Sequence, residues 1–175
     1  MTREPVAAEP SEIRGWLTGR LPQWFEGPPE VIVDREEITI IGTLSAPSVA
    51  PDASDAEQAA ARKGRAKAFR EDTREQRIEI ARELEARYLR AVAWGVQVGD
   101  DRMLFTHHAA PVMTRLRQPE RRVLDTLVAA GVARSRADAL AWCVRLVGQH
   151  SEEWLSELEE ALESVERVRR AGPAA

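Results

Sequence analysis

Two β-branched runs, Val31-Ile32-Val33 and Ile38 with Ile40-Ile41, interrupt a largely polar N-terminal stretch. They predict strands over Glu30–Asp34 and Glu37–Leu44. Arg35-Glu36 between them is short and polar, as a hairpin turn requires. Ahead of this hairpin, Ile13, Trp16, Leu17 and Leu21 recur at helical spacing, with Ser11 as the cap and Pro22 as the stop. Residues 1–10, which hold Pro5 and Pro10, are expected to form a flexible tail. Ser45–Ser54, rich in Pro, Ala and Ser, reads as a linker.

Residues 55–90 predict one long, highly charged helix with a weak point at Gly64. Its second half carries the apolar stripe Ile78, Ala81, Leu84, Tyr88, reinforced by Ile80. Its first half is locally basic through Lys63, Arg65, Lys67, Arg70, Arg74 and Arg77, and such a run reads as a solvated face. A second strand pair follows, Val92–Val98 and Arg102–Thr106, joined by a turn at Gly99-Asp100-Asp101. Residues 11–106 thus form an α-β-β-α-β-β pattern, expected to be a small α+β domain whose sheet is covered on one face by two helices.

From residue 107 onward the pattern changes. In Pro111-Val112-Met113-Thr114-Arg115-Leu116-Arg117-Gln118-Pro119, strand alternation puts Val112, Thr114 and Leu116 on one face and Met113, Arg115 and Arg117 on the other. Pro119 opens a helix, where its missing N–H costs nothing. Val123, Leu124, Leu127 and Val128 line one face of that helix, and Gly131 ends it. A second helix begins at Ser135, with Asp138 three residues on in a near capping-box arrangement and the stripe Ala137, Leu140, Ala141, Val144, Val147. A last helix, Ser151–Arg170, has Ser151 as its cap, Glu152 and Glu153 in its first turn, and Leu155, Leu158, Leu162 and Val165 as a packing stripe.

The string from Leu124 through Gly131 to Ser135-Arg136-Ala137-Asp138-Ala139-Leu140 resembles the middle of ribbon-helix-helix DNA-binding proteins. The resemblance covers residues from about 111 to 149. It implies that residues 107–172 form a ribbon-helix-helix-like unit with an added acidic helix, in which the strands of two chains pair to make a homodimer. A ribbon in the major groove of double-stranded DNA would present Met113, Arg115 and Arg117, with arginine able to make bidentate contacts to guanine. Arg134, Ser135 and Arg136 at the start of the second helix would meet a phosphate.

Composition adjusts this picture. The net charge of −4 does not announce a nucleic-acid partner, but residues 111–150 carry seven Arg against three acids, whereas residues 151–175 carry three against seven. Arginine outnumbers lysine 23 to 2 throughout, so position weighs more than the count. No run nears the roughly 18 apolar residues of a membrane span, and the N-terminus lacks the apolar stretch of a secretory signal, so a cytoplasmic protein is expected. Cys143 has no second cysteine to pair with, and beside Trp142 on a helix it reads as a small buried hydrophobe. His107 and His108, adjacent in an extended chain, point to opposite faces and make a poor metal site. The five tryptophans are scattered, as core or interface residues would be. Phosphate-loop, dinucleotide-binding, nucleophile-elbow and zinc-protease motifs are absent. No enzyme, metal or cofactor is expected. The leading expectation is a sequence-specific, homodimeric transcriptional regulator. The alternative is a non-enzymatic homodimeric adaptor that uses the same fold to bind a protein partner.

Overall fold

The computed structural model describes residues 9–171, and within α6 the side chain of residue 166 is outside the description. The tail expected over residues 1–10 therefore lies outside it, apart from Glu9 and Pro10. The fold is α+β, and the chain divides into two compact units with the break between Pro111 and Val112.

The first unit contains α1 (Pro10–Arg20), β1 (Glu30–Val33), β2 (Glu37–Leu44), α2 (Asp55–Asp72), α3 (Arg74–Tyr88), β3 (Ala91–Val98) and β4 (Asp101–Leu104). The sheet order is β1-β2-β3-β4, with antiparallel outer pairs and a parallel central pair. Parallel neighbours need a long crossover, and α2 with α3 supplies it. The β1–β2 hairpin falls at the expected turn because Asp34 Oδ1 accepts from the N–H groups of Glu36 and Glu37 at 2.8 and 2.7 Å. The linker ends at a full capping box. Ser54 Oγ accepts from the Glu57 N–H, and the Glu57 carboxylate accepts from the Ser54 N–H.

The expected single helix over 55–90 is two helices, and the break is at Thr73 rather than Gly64. Thr73 Oγ1 donates to the Phe69 carbonyl at 2.6 Å and in turn accepts from Arg77 Nε at 3.0 Å. A threonine bonded back onto the preceding turn perturbs the helix locally, whereas Gly64 sits in open space with nothing to force a bend. The ordering of the first half comes from Ala66 and Phe69, which are buried. The final strand ends at Leu104, two residues earlier than expected.

Three helices rather than two cover one face of the sheet. Ile38, Ile40, Val92 and Trp94 meet Ile13 and Leu17 of α1 and Ile80, Leu84 and Tyr88 of α3. Leu44, Val96 and Val98 meet Ala66 and Phe69 of α2. Trp24 joins the two clusters, edge-on to Phe25, Phe69 and Trp94. Gly42 is required here: a Cβ at that position would collide with the Phe25 ring. The opposite face is only partly covered and leaves Ile32 and Leu104 exposed.

The second unit contains α4 (Gln118–Ala129), α5 (Arg136–His150) and α6 (Glu152–Ala171). Its core is small: Leu124, Ala133 and Ala139 are buried, with Leu116, Leu127, Val128, Leu140 and Cys143 packed against them. Cys143 is thus partly buried. No described helix is long and apolar enough to cross a membrane.

Candidate nucleic-acid interface

The segment that leads into α4 has no regular secondary structure and pairs with no strand among the described residues, so the strand expected over Val112–Arg117 is not formed in the single chain; Arg117, the N-cap of α4, has extended backbone. Its inner face is less complete than strand alternation implies. Leu116 alone reaches the core, while Val112 is 85% exposed and Thr114 is also exposed. The segment is anchored at its end, where Arg121 Nη1 donates to the Leu116 carbonyl at 2.7 Å. With Leu116 turned inward, Arg115 and Arg117 face solvent on either side of it, and Met113 is 95% exposed.

Pro119 stands in the first turn of α4. The helix ends at Ala129 with Ala130 as its C-cap, and Gly131 follows with a φ of +74°, left-handed backbone that glycine adopts without a Cβ penalty. The Gly131 N–H donates to the Val128 carbonyl and the Val132 N–H to the Leu127 carbonyl, which satisfies the last turn. This reversal delivers the chain to Ser135, the cap of α5. Ser135 Oγ accepts from the Asp138 N–H at 3.2 Å, and Asp138 Oδ2 accepts from the Arg134 N–H at 2.9 Å, one residue earlier than a standard capping box.

The residues at this helix start differ in availability. The Arg134 side chain is almost fully exposed, with only a long contact of 3.8 Å to Asp138. Arg136 instead grips Asp125 of α4 with two hydrogen bonds, at 2.6 and 2.8 Å. That fork, more than the attendant charge, holds the Asp125 carboxyl below its ordinary value and raises Arg136. Sequence spacing carries no signal for this pair, because only the glycine turn brings α4 and α5 side by side. Arg136 is therefore committed to the helix pair, and Arg134, with only its loose contact to Asp138, is the more available cation of the two.

The α5 stripe read from the sequence also needs correction. The side facing α4 is Ala139, with Leu140 and Cys143; Ala137, Ala141, Val144 and Val147 are exposed. Val144 is 65% and Val147 54% exposed, and with Cys143, Gly148 and Leu155 they line an apolar groove of about 390 Å³. On α6, Trp154, Leu158, Leu162 and Val165 are exposed as well. Ser151 closes α5 as its C-cap, and α6 begins at Glu152.

Residues 11–104 match the family model described as the N-terminal domain of the Rv1265-like protein. Residues 117–169 match that of the Mb1296 C-terminal domain. The two matches fall on either side of the break between the units. Among curated proteins, the chain is 56% identical over 172 residues to the uncharacterised proteins Mb1296 of Mycobacterium bovis and Rv1265 of Mycobacterium tuberculosis. Each match covers 98% of this chain and 73% of the relative. No solved structure gives a significant match.

Proposed function

The chain belongs to the Rv1265-like family, and we propose that it is a sequence-specific DNA-binding protein, a transcriptional regulator that works as a homodimer. The observation that carries this reading is the segment Val112–Arg117. It pairs with no described strand, is anchored by Leu116, and bears Arg115 and Arg117 in solvent immediately before a proline-opened helix pair. An extended segment with unpaired backbone groups is suited to pair with a second copy of itself, and a two-stranded ribbon fits the major groove. Arg115 and Arg117, with Met113 between the strands' outward positions, then read base edges. Arg134 and the N–H groups at the Ser135 helix start hold a phosphate. Arg136 contributes only if it leaves Asp125, so its contact is the weaker one.

The test is selection from random duplexes, followed by titration of the wild type and Arg115→Ala at two salt concentrations. Loss of a base-reading arginine costs roughly 1–3 kcal/mol and blunts discrimination at one position. Arg134→Ala weakens all sequences alike and lowers the salt slope by about one for each protomer in contact with DNA, about two for the dimer. A wild type that enriches no sequence and shows no salt-dependent binding refutes the reading. A homodimeric adaptor is then the reading to pursue by pull-down. The apolar stripe of α6, bordered by Glu157, Glu159, Glu160 and Glu163, favours it as a surface for a protein partner.

A further inference from the structure

A line of cations runs along α2 and α3, in a different unit from the segment discussed above. Lys63, Lys67, Arg70, Arg74 and Arg77 are separated by alternating steps of four and three residues, which keeps them on one flank at about 3.6 residues per turn. The line continues through the break at Thr73, because the Thr73 N–H still donates to the Phe69 carbonyl and the Arg77 N–H to the Thr73 carbonyl. Lys63, Lys67, Arg70 and Arg74 are exposed. Lys67 has a loose pairing with Glu71 at 3.9 Å, both side chains largely in water. Among the described residues, no ion pair joins Lys63, Arg70, Arg74 or Arg77 to a carboxylate.

One end of the line is a shaped depression. Arg77 is only 7% exposed. Its Nε donates to Thr73 Oγ1 and its Nη2 to the Arg70 carbonyl at 2.7 Å, while Nη1 has no protein partner among the described residues. Its guanidinium lies 4.9 Å from the centre of the Phe105 ring, and that of Arg70 lies 5.8 Å from the same ring. Arg70, Arg74 and Arg77 with Ile78, Phe105 and Thr106 enclose about 190 Å³. Burial, and then the charges of Arg70 and Arg74, push Arg77 below the usual guanidinium value. A buried cation surrounded by other cations is costly without an anion. A phosphate oxygen in the depression would meet the free Nη1 and both exposed guanidinium groups.

We propose that this line is a docking site for the phosphodiester backbone of a nucleic acid, with one phosphate held among Arg70, Arg74 and Arg77 and the strand continuing past Lys67 and Lys63. The length of the line favours a polymer over a single small anion. From Lys63 to Arg77 it extends about 21 Å along the helix axis, room for about six phosphates of one strand at ~3.4 Å each. For its choice of nucleic acid the inference rests on the function proposed above, but it uses none of the same residues. Its contacts are to backbone and carry no sequence information.

The experiment uses the full chain with two double variants, R70Q/R74Q and R115Q/R117Q. Both change exposed residues and leave Arg77 in place. Binding of fluorescent duplexes is followed by anisotropy across a salt series, and the Arg77 Nε–H resonance by NMR during addition of duplex or of inorganic phosphate at equal ionic strength. The expected result is that R70Q/R74Q weakens every duplex alike, lowers the salt slope by about two for each protomer whose line lies on the duplex, and leaves sequence discrimination intact. Duplex, but not an equal concentration of inorganic phosphate, shifts the Arg77 resonance. An unchanged slope, or a resonance that responds to inorganic phosphate alone, overturns the proposal. If R70Q/R74Q is silent while R115Q/R117Q abolishes discrimination, the docking line fails and the ribbon reading stands. If no sequence is enriched and R70Q/R74Q still lowers the slope, the ribbon reading fails and the docking line stands. A wild type that binds no duplex at all removes both.

Discussion

Val144→Asp tests whether the apolar groove between α5 and α6 is covered by a second copy of the chain. In the single chain Val144 is 65% exposed, so a carboxylate there stays in water and the change should alter the stability of a monomer by no more than about 0.5 kcal/mol. A symmetric dimer changes this result. Full burial of a valine is worth about 1.5–3 kcal/mol, and with 65% of the residue still uncovered, about 1–2 kcal/mol of that remains to be gained. A two-fold interface counts the substitution twice, so the loss is about 2–4 kcal/mol before the cost of desolvating two carboxylates is added. At 1.4 kcal/mol per tenfold change, the dimer dissociation constant should rise roughly thirtyfold or more. Sedimentation equilibrium over a concentration series reads this directly, and thermal melts at low concentration confirm that the variant chain is folded. A Val144→Asp protein that dimerises like the wild type shows that this face is not in the interface. A wild type that stays monomeric at micromolar concentration refutes the homodimer and the ribbon with it.

Three further outcomes are expected. Leu124→Ala should cost about 2–5 kcal/mol by chemical denaturation, because Leu124 is the largest buried side chain of the second unit's core; a loss below about 1 kcal/mol would show that α4 packs through another face. Gly42→Ala should destabilise the first unit by about 1–3 kcal/mol, since the new methyl meets the Phe25 ring, and an unchanged denaturation midpoint would refute that packing. The depressed Asp125 carboxyl stabilises the fold above its unfolded value of about 3.9, and that contribution disappears as the pH falls through the lower folded value. Melting of the wild type should therefore approach that of Asp125→Asn between pH 5 and 2, whereas parallel curves would mean that the fork with Arg136 adds no stability.

What the sequence determined by itself is mainly what nearest neighbours decide. Asp34 shapes its own hairpin, and Ser54 with Glu57 caps its own helix. Gly131 reverses the chain at a position that needs left-handed backbone, and Ser135 caps α5. Each depends on bonds across only a few residues, so the local string suffices. The strand alternation expected over Val112–Arg117 was not realised in the single chain, where Leu116 is part-buried and Val112 and Thr114 are as exposed as Arg115 and Arg117. The tertiary structure alone decided the parallel pairing of β2 with β3, because an apolar run does not specify which strand it meets. It decided the helix break at Thr73, where a back-bonded hydroxyl and the Arg77 guanidinium outweigh the intrinsic weakness of Gly64. It also decided which stripe of α5 is buried, setting Ala139, Leu140 and Cys143 against the core of the second unit and leaving Val144 and Val147 exposed. Finally, it separated two neighbouring arginines, tying Arg136 to Asp125 across the glycine turn and leaving Arg134 with only a loose, exposed contact to Asp138. Helical periodicity places both near the start of α5, but only the packing of one helix on another determines whether a charge already has a partner.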